Sequence, residues 1–395
     1  MLRTELETLM TAEGLRLLDS LPPYTTGTNI VRSVADLRKT GHSAALVGAV
    51  MTQARLRAKA GAKFGEFAGR MLFTDAGLEQ ATRLNVAALH AGRFRAAGLH
   101  RVADLGCGIG ADALALAALD IDVTAVERDE VTAAIAAYNL APFPSASVEQ
   151  GDAEAFDVSR VDAVYLDPAR RTAGHNNTSR LTDPNDFSPS LDFAFALAER
   201  MPVGVKLGPG LDRALLPAEA EAQWVSVDGS VVETGLWFGA LARPGIRRSA
   251  LVITANSHDE LTAGADSDDV EPGPLGEYLY EPDGSVIRAR LIGDLARSLD
   301  ARMVSSQIAY LTADEHRATA FATAFRVREV LPYTTAALKR ELRARKIGAL
   351  EIKKRGVDVD PALLRPKLAL SGPESATLFI TRIDGKHVAI LADRV

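Results

Sequence analysis

The sequence predicts an α/β protein in three parts: a helical N-terminal domain over residues 1–97, a parallel sheet with crossover helices over 98–258, and a small α/β module over 277–395 that follows a linker at 259–276. Three observations carry this reading. Apolar residues recur at helical spacing up to about residue 97. From Arg101 onward, short apolar runs alternate with helical segments, the pattern of βαβ units with helices on both faces of a sheet. The composition, 395 residues with 47% hydrophobic and 24% charged side chains, supplies a buried core and excludes a disordered or fibrous chain.

In the leader, Leu6, Leu9, Leu15, Leu17 and Leu18 mark a helical face that Pro22 and Pro23 interrupt. The run 43–57 holds no glycine except Gly48, and Thr74-Asp75 predicts the N-cap of a helix running through Leu78, Ala81, Leu84, Ala87 and His90. Strands are predicted at 101–105, 121–126, 145–149, 161–166 and 202–207, with helices at 112–119 and 130–139. Asp228-Gly229 between apolar runs signals a hairpin within 224–238, and 249–254 is one more strand. Residues 257–276 contain six acidic residues, three Gly and two Pro without an apolar period, and so read as a linker. Beyond it, helices are predicted at 288–299 and 335–345, and strands at 325–330, at 349–353 and on both sides of Asp384-Gly385.

Cys107 is the sole cysteine, which excludes an internal disulfide and a thiolate zinc site and fits a reducing cytoplasm. The seven histidines show no metal-ligand spacing, so no metal is expected. Glu5, Glu7 and Glu13 contradict a secretory signal, and the longest unbroken apolar run, 113–119, falls far short of the roughly 20 residues of a membrane span. The net charge of −6 is uneven: +5 over 1–97, −18 over 98–325, +7 over 326–367 and 0 over 368–395. Basic ends around an acidic middle suit a polyanion held by the arms, and a salt-bridged, solvated helix face gives the same pattern.

The most informative stretch is Val102-Ala103-Asp104-Leu105-Gly106-Cys107-Gly108-Ile109-Gly110, a strand running into glycines and then a helix. Such a loop lets the backbone approach a ligand at a helix N-terminus. Gly106-x-Gly108-x-x-Ala111 also satisfies the dinucleotide fingerprint, which keeps a nicotinamide-dependent oxidoreductase in view. Asp104 tips the balance: a carboxylate there would face the cationic amino-acid end of S-adenosylmethionine but would sit badly beside a pyrophosphate. Glu127, 17 residues beyond Gly110, suits two ribose hydroxyls, and Asp152-Ala153 after the third strand suits an adenine amino group. The fourth strand ends in Asp167-Pro168-Ala169-Arg170-Arg171, so four strand ends converge on one crevice.

With these motifs in order, residues 101–254 resemble a class I S-adenosylmethionine-dependent methyltransferase. The resemblance implies a Rossmann-like seven-stranded sheet, cofactor contacts at Asp104, Gly106, Gly108, Gly110, Glu127, Asp152 and Ala153, and a reacting site at Asp167, Pro168 and Arg170. The whole chain further resembles a bacterial group in which a helical leader precedes the methyltransferase and a THUMP-like module closes the chain, on the residues 350–361 and 378–382. THUMP domains proper bind tRNA, so the resemblance implies methylation of a base in tRNA or rRNA. The motif departs from the Asp-Pro-Pro-aromatic pattern of base-amine methyltransferases, because Ala169 and Arg170 replace the second proline and the ring. It is closer to the Asp-Pro-Pro-Arg of uridine C5 enzymes, but no cysteine lies downstream. Direct in-line transfer without a covalent thiol intermediate is therefore expected.

Candidate substrate contacts are Arg171, Lys353, Lys354 and Arg355. The run from Arg171 to about residue 190 has the length of a functional loop, with His175 as a candidate base. Lys206, near Gly208 and Gly210, either reaches the crevice or snorkels from a buried stem. The competing readings are a small-molecule or protein methyltransferase, and a non-catalytic RNA-binding protein that retains the cofactor.

Overall fold

The computed structural model describes residues 1–22, 24, 37–170 and 187–395, without the side chains of residues 169 and 170. The chain folds as two compact units, Met1–Leu207 with Asp212–Leu215 and Leu236–Ala242, and Gly208–Leu211 with Leu216–Gly235 and Arg243–Val395.

In the first unit, helices α1 (Arg3–Leu9), α2 (Ala12–Ser20), α3 (Ala44–Phe64), α4 (Asp75–Gln80) and α5 (Leu84–Ala96) precede alternating elements. These are β1 (Arg101–Leu105), α6 (Ala111–Ala117), β2 (Asp122–Glu127), α7 (Glu130–Leu140), β3 (Ala146–Gln150) and β4 (Ala163–Leu166). A two-residue pair β5 (Ala169–Arg170) and β6 (Phe187–Ser188), α8 (Leu191–Ala198) and β7 (Val203–Leu207) follow. The strands run parallel in the order β7-β4-β1-β2-β3, reversing direction of travel at β1, which places a ligand crevice at the carboxyl ends of β1 and β4.

The leader does not form a domain of its own. Leu9, Phe64, Phe73 and Phe94 share one core with Val102, Ile121, Val123 and Ile135. Asn139 of α7 accepts the Leu72 N–H at 2.8 Å and donates to the carbonyls of Leu72 and Ile109 at 3.1 and 2.9 Å. Gln53 of α3 likewise donates to the Phe73 carbonyl and accepts the Phe73 N–H. These amides satisfy a buried connecting segment that has no ladder partner.

The helix expected from Asp75 through His90 is two helices. Lys63 Nζ donates to the carbonyls of Leu78, Glu79 and Ala81 at 2.9, 2.6 and 2.7 Å, closing α4, and the break lets Thr82 turn inward. On β7, Gly204 is required by close approach: a Cβ there would lie 2.7 Å from Trp237 Cζ3 and 3.0 Å from Tyr165 Cδ2.

The second unit begins with β8 (Glu221–Val227) and β9 (Ser230–Phe238), joined by the expected turn, whose Asp228 has a φ of 50°. With β10 (Arg248–Ile253) and β11 (His258–Ala263) they take the order β11-β10-β8-β9, while residues 236–238 of β9 lie in the first unit beside β7. The stretch read as a linker starts inside β11, which pairs antiparallel with β10. Of its acidic residues, Asp266, Asp268, Asp269 and Glu271 are exposed, whereas Glu260 is enclosed. Arg243 Nη1 lies 2.5 Å from Glu260 Oε2, and Ser249 Oγ and Gln223 Nε2 donate to Oε1 at 2.6 and 2.5 Å.

The predicted helix at 288–299 is also two, α9 (Gly284–Ala289) and α10 (Ile292–Leu299), divided at Arg290 with a φ of 59°. A seven-stranded sheet completes this unit: β12 (Tyr278–Pro282), β13 (Arg302–Ser305), β14 (Ile308–Ala313), β15 (Ala322–Leu331), β16 (Ile347–Lys354), β17 (Glu374–Ile383) and β18 (Lys386–Arg394). The order is β13-β14-β12-β15-β18-β17-β16, antiparallel except for β16 with β17. Leu279, Tyr310, Phe325 and Phe379 pack in one cluster, and α11 (Thr335–Ala344) and α12 (Pro361–Leu368) bury Leu338, Leu342, Leu364 and Leu368 in another. Among the described residues no helix is long and apolar enough to cross a membrane.

Candidate active site

The glycine loop joins β1 to α6 and is pinned to β2. The N–H groups of Gly106 and Cys107 both donate to the Val126 carbonyl, at 2.9 and 3.0 Å. Gly106, Gly108 and Gly110 have φ of 86°, 56° and 84°, values that a side chain would strain, so the turn needs glycine at each. A Cβ at Gly108 would meet nothing within 4 Å, whereas one at Gly110 would come to 3.3 Å from Leu140 Cδ1. The middle glycine therefore faces open space and the last one lets α6 and α7 close together. Glu127, at the end of β2, holds the loop from the side: Oε2 accepts the Gly108 N–H at 3.1 Å and Oε1 the Asp129 N–H at 2.8 Å.

Asp104 is 1% exposed and its Oδ2 has no hydrogen-bond partner. Burial, then the nearby Asp112 and Asp167 carboxylates, push its carboxyl well above the ordinary range. A cation brought beside it would favour the carboxylate, which fits the ammonium end of an amino-acid-bearing cofactor and does not fit a pyrophosphate.

Asp112 behaves in the opposite way. Burial pushes it up, but the hydrogen bond and charge of His90, with Lys206 and Thr82, outweigh that and hold it below the carboxylate range. Thr82 Oγ1 donates to Asp112 Oδ2 at 2.6 Å, and His90 Nδ1 lies 2.9 Å from Oδ1 and 3.0 Å from the Tyr165 hydroxyl. No local pattern signals this network, whose members come from the link between α4 and α5, from α5, from α6 and from β4.

Asp167 follows β4 and Pro168 is buried behind it. Lys206 Nζ lies 2.6 Å from Asp167 Oδ2, with side-chain exposures of 12% and 32%, so this lysine reaches the crevice and does not snorkel away. Asp152 is exposed after β3, and its carboxylate caps a single turn by accepting the Glu154 N–H at 3.0 Å, next to buried Ala153. Glu154 Oε1 in turn accepts the N–H and hydroxyl of Ser190, the N-cap of α8, at 2.9 and 3.0 Å. Cys107 is buried, and that burial, with the charges of Asp104 and Glu127, pushes its thiol up and away from thiolate chemistry.

Some expected residues are not brought to this site. Arg170 ends β5, but its side chain lies outside the described residues, as do Arg171 and His175. Lys353 and Arg355 turn to Glu281 of β12: Lys353 Nζ is 2.6 Å from Oε2 and Arg355 Nη2 is 3.8 Å from Oε1, while Lys354 is exposed. Of that basic triplet only Lys354 keeps an ammonium turned to solvent. Among the described residues no group of three or more His, Cys, Asp or Glu is placed to hold a metal ion.

Residues 322–394 match the family model described as THUMP domain-like, and residues 3–60 match a domain of unknown function, DUF8688. An uncharacterized S-adenosylmethionine-dependent methyltransferase of Mycobacterium tuberculosis, found in two strains, is 34% identical over 337 residues, covering 83% of this chain and 90% of the relative. A crystal structure of a candidate methyltransferase from Porphyromonas gingivalis W83 superposes with a TM-score of 0.73 at 20% identity, covering 100% of this chain and 98% of that one.

Proposed function

Since the chain belongs to the S-adenosylmethionine-dependent methyltransferases, we propose that it methylates a base in RNA, tRNA or rRNA, by direct in-line transfer. The observation that carries this reading is the basic surface of the unit containing the THUMP domain-like match. Lys339, Arg343 and Lys346 at α11, and Arg365 and Lys367 on α12, are exposed, and none makes an ion pair with a described residue. Cations left in solvent on two neighbouring helices suit the phosphates of a nucleic acid. Lys354 extends that set, whereas Lys353 and Arg355 serve to fix β16 against Glu281.

At the first unit, S-adenosylmethionine supplies an electrophilic methyl group on a sulfonium. Asp104 would take its amino-acid ammonium, Glu127 its ribose hydroxyls, and Asp152 with the Ala153 backbone its adenine. The backbone at Gly108, where a Cβ would meet nothing within 4 Å, leaves room beside the loop. Asp167, backed by Pro168, is assigned to the acceptor, whose proton-bearing nitrogen or oxygen it would orient, and Arg170 and Arg171 to the nucleotide around it. No thiol takes part, because the one cysteine is closed inside the cofactor loop.

The test uses labelled S-adenosylmethionine, the full chain and RNA from a strain lacking the gene, followed by digestion to nucleosides. One labelled nucleoside is expected. Label in protein or small molecules with none in RNA would overturn the reading. With about five phosphate contacts, RNA affinity should fall about 10²-fold between 50 and 200 mM salt. Affinity that ignores salt would remove the basic surface from the interface.

A further inference from the structure

Lys206 is not required to hold the methyl donor in the reading above, and nothing about a parallel strand end calls for a lysine. The register of β4 and β7 sets Leu166 opposite Val205. Asp167 and Lys206 are therefore the next residues along, at the two carboxyl ends that border the crevice, with Nζ 2.6 Å from Oδ2. From this geometry we infer that Lys206 is the positioning residue of the acceptor site, fixing the Asp167 carboxylate in place as an anionic hydrogen-bond acceptor. The inference rests on the assignment of Asp167 to the methyl acceptor.

The surroundings explain why a cation is needed. Charged groups that act on this pair include Asp104 from β1, Asp112 from α6 and Lys63 from α3. Three carboxylates crowded together do not all stay ionised without compensation, since like charges raise one another. Lys206 is the cation whose field acts on Asp104 and Asp112 and whose ammonium touches Asp167. Lys63 cannot substitute for it. Its three donors are spent on the carbonyls of Leu78, Glu79 and Ala81, and burial, with the charges of Arg83 and Lys206, pushes its ammonium down to about 8. Ion pairs shielded to this degree seldom add much net stability, so the pair is better explained by what it does to Asp167.

The experiment titrates the full chain carrying ¹³Cγ-labelled aspartate, with Asp167→Asn identifying the Asp167 signal. Lys206→Met is the main variant, Lys206→Gln a second uncharged one should the first fail to fold, and Lys206→Arg the conservative control. The uncharged variants should raise the Asp167 midpoint by about one pH unit or more, and the arginine variant should leave it within about half a unit. Methyl transfer by the uncharged variants should fall roughly tenfold below its high-pH plateau at about one pH unit under the raised Asp167 midpoint and recover as the pH rises, with KM for S-adenosylmethionine within about twofold. An Asp167 midpoint that ignores the loss of Lys206 would overturn the inference. So would an activity loss equal at every pH that arginine does not rescue. The titration needs no substrate, so RNA that takes no label from the native protein would sink the RNA reading and leave this result standing.

Discussion

Asp167→Asn should lower the methyl-transfer rate by about 10²-fold or more while leaving the affinity for S-adenosylhomocysteine within about threefold. The two effects separate because the Asp167 carboxylate and the glycine loop are held by different side chains. The carboxylate is held by Lys206, whereas the loop is pinned by the Val126 carbonyl and by Glu127. An asparagine of equal size removes the charge and one acceptor oxygen. Initial rates with labelled donor, and calorimetry with the demethylated product, measure the two quantities. Unchanged turnover would remove Asp167 from the acceptor site.

Glu127→Ala acts on the other partner. The carboxylate loses its place under the ribose hydroxyls and also releases the N–H groups of Gly108 and Asp129, which it accepts at 3.1 and 2.8 Å. Two hydrogen bonds to a charged acceptor contribute about 1.5–3 kcal/mol each, so affinity for S-adenosylhomocysteine should fall by about 10²-fold or more. Glu127→Gln keeps one acceptor oxygen and should lose less. Calorimetry on folded variants, checked by near-ultraviolet circular dichroism, is the measurement. An alanine variant that binds the product as tightly as the native chain would move the ribose elsewhere.

How far these residues could be read in advance depends on how local their signals are. The glycine loop, Glu127 and Asp167 were legible because each sits at the end of a strand whose apolar run names it, and the strand ends of a parallel sheet lie together. The network of Thr82, His90 and Asp112 was not. It depends on a helix break set by Lys63, which a helical periodicity running from Leu78 to His90 conceals. The lysine at 206 was visible as a lysine, but its partner follows from the register of β4 on β7, which no pattern within either strand encodes.

Charge misled in two places for the same reason. The acidic run at 257–276 read as a linker, yet Glu260 within it is enclosed by Arg243, Gln223 and Ser249. The basic triplet at 353–355 looked free, yet Glu281, 72 residues before Lys353, takes two of its three members. Composition counts charges but does not say which are neutralised across a sheet. Strands β12, β13 and β14 escaped notice because they are short and carry no turn signal between clean alternations.

A methyl donor held at the Gly106–Gly110 loop, with its cationic end at Asp104, is the premise of the proposed function. A crystal structure of the full chain grown with S-adenosylhomocysteine tests this directly. The predicted result places the amino group within hydrogen-bond reach of Asp104 and the ribose hydroxyls on Glu127. A product bound away from both carboxylates, or a loop that takes up NAD in its stead, would contradict it.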